Sequence, residues 1–136
     1  MSLIRIMLVA AAFSLTGSVF AADAMSKDQV KTEKDRISSE AKAAKDKCKD
    51  MKGNAKDICM AEAKGNEKLA KAELELKQKD TPKNRQDVAV AKADLEYEVA
   101  KEKCDDMKGK EKNACQKDAK AARDQAKKQA KADNKK

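Results

Sequence analysis

The chain has 136 residues, of which 41% are charged and 2% are aromatic, and its formal net charge at pH 7 is +8. It has no Trp and no His, and large aliphatic residues are sparse after residue 21, which excludes a sizeable hydrophobic core. Ala, Lys, Glu and Gln are abundant and Pro occurs once, so the composition favours solvated helices over a globule or a featureless coil.

Residues 1–21 are predicted to be a cleavable signal peptide. Arg5 is the only charge in this stretch, an apolar run extends from Ile6 to Leu15, and Val19 and Ala21 supply modest or small side chains before a cleavage site after Ala21. The run is shorter than the about 20 residues that a membrane-spanning helix needs. We therefore expect export through the inner membrane of a bacterium to the periplasm, and no transmembrane segment in the mature chain.

Two segments of the mature chain repeat one another. Residues 44–59 read AKDKCKDMKGNAKDIC, and residues 100–115 read AKEKCDDMKGKEKNAC. Each segment holds two Cys, separated by ten residues, on either side of a shared D-M-K-G. This coincidence indicates a tandem duplication.

The pattern in each repeat predicts two helices joined by a turn. Small and apolar residues recur before each central Gly at the heptad-type spacing that is typical of a coiled coil. Gly53 and Gly109 are predicted to lie at the turns, because Gly adopts the left-handed conformation at a helix end without strain. Thr81 followed by Pro82 is a helix start signal. We expect four helices, at about residues 26–52, 55–79, 82–108 and 111–132.

Three local features qualify this assignment. Asn54 is predicted to cap the second helix. Gly65 and Asn66 form a weak point that could kink or split the same helix. No large apolar residue follows Cys115, so the basic C-terminal end is expected to fray.

The four cysteines are predicted to form two disulfides that staple the hairpins. An even number of Cys in an exported protein is typical of disulfides. In a helical hairpin, the two Cys of each repeat face each other near the turn, and closing a loop of this length is worth about 3 kcal/mol. The predicted fold is all-α: two tandem helical hairpins over residues 22–80 and 81–136, loosely packed or elongated. The predicted pairs are Cys48–Cys59 and Cys104–Cys115.

Other chemistries of these cysteines are less favoured. Catalysis by Cys needs a nearby base, and the chain has no His. Zinc sites favour shorter Cys spacings. Cys48 and Met51, like Cys104 and Met107, would share a helix face and suit copper(I), but Met more often fills gaps in an apolar stripe. We predict no catalytic, cofactor or metal site, and no enzymatic activity.

Residues 117–136 are strongly basic, with seven Lys and one Arg against three Asp. Such a segment is suited to an anionic surface, such as lipid head groups or envelope polymers. Because Tyr97 is the only aromatic residue after the signal peptide, we do not expect sequence-specific binding of nucleic acid. The predicted anion-binding residues are Lys117, Lys120, Arg123, Lys127, Lys128 and Lys131.

Behind its signal peptide, the Ala- and Lys-rich helical pattern resembles the small exported proteobacterial proteins that are often labelled TolA-like or cell envelope biogenesis proteins. The resemblance is compositional, covers most of the mature chain and implies no known activity. The leading hypothesis is a non-enzymatic periplasmic protein with a structural or stress-related role at the cell envelope. The alternatives are a basic module that binds anionic envelope components and, less favoured, a copper-binding protein.

Overall fold

Four helices joined by short connections make up the computed structural model, which describes residues 25–135. No strand is present within these residues. The predicted all-α class is therefore confirmed, while the predicted signal peptide lies outside the described residues. The helices are α1 (Lys27–Lys49), α2 (Gly53–Gln78), α3 (Pro82–Cys104) and α4 (Gly109–Asp133).

Two of the helices begin at side-chain caps. The backbone N–H of Gln29 donates to the Ser26 hydroxyl at 3.2 Å, and the Gln29 side chain accepts from the backbone N–H of Ser26 at 2.8 Å, which is a capping box at the start of α1. The predicted start of α3 is confirmed, since the backbone N–H of Asn84 donates to Thr81 Oγ1 at 3.1 Å and Pro82 is the first helical residue.

Both hairpin turns depend on glycine. Gly53 has a φ of 58° and Gly109 a φ of 56°, a conformation that other residues adopt only with strain. The prediction of turns at these two positions is confirmed. α1 and α3 end earlier than predicted, at residues 49 and 104 rather than at about 52 and 108, because the backbone hydrogen bonds before each Gly span three residues instead of four. There the N–H of Met51 donates to the Cys48 carbonyl at 3.1 Å.

The predicted disulfides are present. Cys48 bonds to Cys59 with their Cα atoms 5.6 Å apart, and Cys104 bonds to Cys115 with a Cα separation of 5.7 Å. Both values fall in the usual range for a disulfide. Cys48 and Cys104 are completely buried, so each bridge lies inside the interface of its own hairpin.

The two hairpins lie side by side in an open array. α2 contacts α3, and α1 and α4 each contact a single neighbour, α2 and α3 respectively; no other pair of these four helices is in contact. The chain therefore does not close into a four-helix bundle. The buried side chains are few and mostly small, as the composition requires: Ile37, Ala41, Cys48, Ala63, Leu74, Ala93, Cys104 and Ala130.

Three local predictions differ from the structure. α2 runs unbroken through Gly65, which is buried where α3 packs on it. Asn54 does not cap α2: it lies inside the helix, and its side-chain amide donates to the Glu102 carbonyl of α3 at 2.7 Å. The end of α4 is also held in place, since Asn134 Nδ2 donates to Gln86 Oε1 at 2.7 Å and Ala130 is buried.

Candidate anion-binding edge

The basic residues are concentrated on the two outer helices. α4 has eight basic and four acidic residues and α1 has eight and five, whereas α2 and α3 each have five of both. Because α1 and α4 each contact only one other helix, much of their surface faces solvent. The positive charge therefore lies mainly at the two edges of the array.

Four lysines form a row on the exposed surface of α4, and all four side chains are exposed. At 3.6 residues per turn they fall within an arc of about 80°, and at 1.5 Å per residue they extend about 21 Å along the helix. None of them forms an ion pair within residues 25–135. We call this row the lysine edge: Lys117, Lys120, Lys128 and Lys131.

The other two predicted anion-binding residues belong to the interface between α3 and α4. The Arg123 guanidinium lies 4.1 Å from the centre of the Tyr97 ring, and Lys127 Nζ lies 2.6 Å from an Asp94 carboxylate oxygen. Both basic side chains are partly buried by these contacts. The six predicted residues thus divide into four that face solvent and two that hold α4 against α3.

One acidic residue lies within the arc of the lysine edge. Asp124 is paired with Arg123 at 3.0 Å, and the hydrogen bond from Arg123 lowers the pKa of the Asp124 carboxyl. The negative charge of Asp124 is therefore largely neutralised by Arg123, which lies on the side of α4 that faces α3. The remaining potential along the edge is positive and is suited to a row of anionic groups.

The outer surface of α1 has a different character. Four carboxylates, Asp28, Asp35, Glu40 and Asp46, are exposed among its basic residues, and Glu40 and Asp46 pair with Arg36 and Lys49, each at 2.6 Å. α1 also carries a row of exposed lysines, Lys27, Lys31, Lys34 and Lys42, which fall within an arc of about 80°. This row lies beside the packed face of α1, and Asp28, Asp35 and Asp46 border it within about 20–40°. The lysine edge lies instead on the side of α4 away from Ala119 and Ala126, which pack towards α3, and this makes α4 the stronger candidate for an anion-binding surface.

The oxidised state of the cysteines bears on the copper alternative. All four are in disulfides, so the described residues hold no free thiol. No group of three or more His, Cys, Asp or Glu side chains within residues 25–135 is arranged to hold a metal ion. The Cys–Met pairs of the copper alternative consequently lack the thiolate ligand on which that alternative depends.

The partners of Arg123 and Lys127 could not be read from the basic segment alone, since Tyr97 and Asp94 lie on another helix. A signal was nevertheless present in α4. Arg123 falls on the same side of the helix as Ala130, which is buried, whereas Lys117 and Lys128 fall almost opposite it. A division by helical face would have assigned Arg123 to the packed side, but it would not have separated Lys127 from Lys120, which lie only about 20° apart around the helix.

The fold and this edge define a class of protein: an open array of helical hairpins, each with one internal disulfide, and with a lysine-rich outer helix. None of the helices in the described part of the chain is long and apolar enough to cross a membrane. Comparison of the chain with protein-family models, with curated proteins and with solved structures gives no match.

Proposed function

We propose that the chain is a non-enzymatic helical protein of the bacterial periplasm with a structural role at the cell envelope, which it contacts through the lysine edge of α4. The observation that carries this proposal is the row of four exposed lysines that form no ion pair. The two disulfides support an oxidising compartment. The compositional resemblance to TolA-like proteins points to the same location.

The geometry favours a ligand that presents anionic groups in a row. The edge is straight because it lies on a single helix, and its lysines extend over about 21 Å. An anionic lipid surface or an anionic envelope polymer offers such an array, whereas a small anion would occupy one or two lysines. Each lysine close to an anionic membrane contributes about 1 kcal/mol, so four lysines would raise the affinity about a thousandfold.

The test compares two variants that remove equal charge from exposed lysines. The edge variant carries Lys→Gln at residues 117, 120, 128 and 131, and the control variant carries Lys→Gln at residues 47, 64, 77 and 92, which are spread over α1, α2 and α3 and form no row. All eight lysines are exposed, and none is in an ion pair in the described structure. Binding is measured by co-sedimentation with phosphatidylglycerol vesicles and with purified peptidoglycan, at increasing salt.

We expect the edge variant to lose most of its binding and the control variant to keep most of it. Binding of the native chain should fall as the salt concentration rises, because exposed charges are screened. Binding in only one of the two arms would identify the ligand. Equal losses in both variants would show that net charge alone is responsible, and absence of binding at low salt would overturn the proposal.

A further inference from the structure

Met51 and Met107 are exposed at equivalent positions of the two repeats. Met51 follows α1 and Met107 follows α3, each in the D-M-K-G segment of its turn. Their exposed fractions are 45% and 44%, and they are the only large hydrophobic side chains that are exposed within residues 25–135. Because consecutive helices of the array alternate in direction, both turns lie at the same end of the molecule.

Packing does not explain these two methionines. The sequence suggested that Met would close the apolar stripe beside each turn, but about half of each side chain lies in solvent. The turns are stabilised without the Met side chains. The backbone N–H of Met107 donates to the Cys104 carbonyl at 3.0 Å, and that of Met51 donates to the Cys48 carbonyl. A disulfide and a Gly with positive φ lie close to each Met. The thioethers are therefore available for chemistry that leaves the turn intact.

Few other side chains in the chain compete for an oxidant. The sequence has no Trp and no His, and all four cysteines are already disulfides. Tyr97 is partly covered by the Arg123 guanidinium, Met60 is partly buried at the groove between α2 and α3, and Met25, just before α1, is also partly buried. At the two turns, the thioethers of Met51 and Met107 are therefore the sulfur atoms that an oxidant can reach.

We propose that Met51 and Met107 are paired sulfoxidation sites for two-electron oxidants of the hypochlorous acid class. The thioether sulfur attacks the chlorine atom, the chlorine–oxygen bond breaks and hydroxide leaves. Water then adds its oxygen to the chlorosulfonium sulfur, and chloride and protons are released. The sulfur is oxidised to a sulfoxide and the chlorine is reduced to chloride.

Oxidation at these positions leaves the helices intact. A sulfoxide disrupts a core because it places a polar group among apolar neighbours, but at an exposed turn its oxygen is hydrated. The chain can therefore take up two oxygen atoms without unfolding, and methionine sulfoxide reductases can restore the thioethers. This proposal is independent of the lysine edge and gives the expected stress-related role a chemical form.

The test treats the purified full chain with up to two equivalents of hypochlorite and locates the added oxygen by peptide mass spectrometry. We expect Met51 and Met107 to be oxidised at rates within about twofold of each other, and the partly buried Met25 and Met60 to be oxidised several-fold more slowly, because exposure controls access. The helical circular dichroism signal and the midpoint of urea unfolding should not change. Reduction by methionine sulfoxide reductases should return the original mass.

Two variants complete the design. Met51→Leu with Met107→Leu keeps the apolar character of the turns and should take up two fewer oxygen atoms, whereas Met60→Leu should take up as much at residues 51 and 107 as the native chain. Three results would overturn the proposal: oxidation of Met60 as fast as that of Met51, loss of helix when the pair is oxidised, or stable chloramines on lysines while both thioethers survive.

Discussion

Gly65 of α2 lies directly against Leu95 of α3 where the two hairpins meet. A Cβ atom at position 65 would be 2.3 Å from Leu95 Cδ1 and 3.0 Å from Leu95 Cβ. Rotation of the leucine side chain could move Cδ1 away but not Cβ, whose position is set by the backbone of α3. The absence of a side chain at Gly65 therefore determines how closely α2 approaches α3.

Gly65→Ala is expected to destabilise the protein although Ala is the better helix former. The overpacked interface should cost about 1–3 kcal/mol, which exceeds or offsets the gain of about 1 kcal/mol in helix propensity. Urea unfolding measures the difference. In the Leu95→Ala background, which removes Cγ and Cδ1 but keeps Cβ, the same substitution should cost clearly less than in the native chain, so a double-mutant cycle should give a clear coupling energy. Additive effects would contradict the close contact of the two residues.

Removal of either disulfide is expected to destabilise the chain by a similar amount. The bridges close loops of equal length, with a sequence separation of 11 in each repeat. The chain-entropy model gives about 3 kcal/mol for such a loop. Cys48→Ala with Cys59→Ala, and Cys104→Ala with Cys115→Ala, should therefore lower the unfolding free energy equally in urea titrations. Ala is used instead of Ser because Cys48 and Cys104 are at buried positions, where a hydroxyl would be unfavourable.

The disulfide pairs themselves can be checked in the native protein. Non-reducing peptide mass spectrometry should find one link within each repeat. Links between the repeats would contradict the hairpins, since Cys48 and Cys104 belong to helices that are not in contact.

The features predicted correctly from the sequence depend on local signals. The equal Cys spacing, the central Gly of each repeat and the Thr81–Pro82 start each act within one turn or one loop, so the residues alone identify them. For the same reason the four helices and both disulfides could be placed before their packing was known.

The features that were missed depend on contacts between helices. Asn54 looks like a cap in the sequence, but its amide donates to Glu102, which is distant in the chain. Gly65 looks like a helix breaker, yet it is where Leu95 packs. In the candidate site, Lys127 looks free until Asp94 is placed beside it. These pairings depend on which faces of the helices pack together. Because the helices carry few large apolar residues, the sequence gives only a weak indication of those faces.

Stability in acid is expected to depend on Glu67. Its carboxylate accepts hydrogen bonds from Lys45 of α1 and Lys71 of α2, each at 2.5 Å, and these bonds lower its pKa from 4.5 to about 2. A carboxyl with a lower pKa in the folded state stabilises the fold fully above its unfolded pKa. This contribution should therefore be present above about pH 5 and should be lost as the pH falls towards about 2.

Glu67→Gln should flatten the stability profile in this pH window, as measured by urea unfolding at successive pH values. Glu62→Gln removes the same charge from an exposed position of α2 that forms no ion pair in the described structure, and it is the control. The pKa of Glu67 can also be measured directly by NMR titration. A value near 4.5, or identical profiles for the two variants, would contradict the ion pair between α1 and α2.

The division of the basic residues of α4 predicts opposite effects for two pairs of substitutions. Arg123→Gln with Lys127→Gln removes the contact with Tyr97 and the ion pair with Asp94. Each contact is partly screened by solvent and should contribute about 0.5–1 kcal/mol to the unfolding free energy. Lys117→Gln with Lys128→Gln removes the same charge from the lysine edge, where no ion pair is lost.

The interface pair should therefore lower stability, and it should weaken binding to anionic vesicles less than the edge pair does, although it also removes the partner of Asp124 within the edge. The edge pair should leave stability unchanged and weaken binding strongly, by about thirtyfold if each lysine contributes about 1 kcal/mol. Urea unfolding and vesicle co-sedimentation at one salt concentration measure both quantities on the same samples. Equal losses of binding in the two pairs would mean that α4 acts through its net charge, because both pairs of substitutions remove two positive charges and differ only in how far the side chains are exposed to solvent.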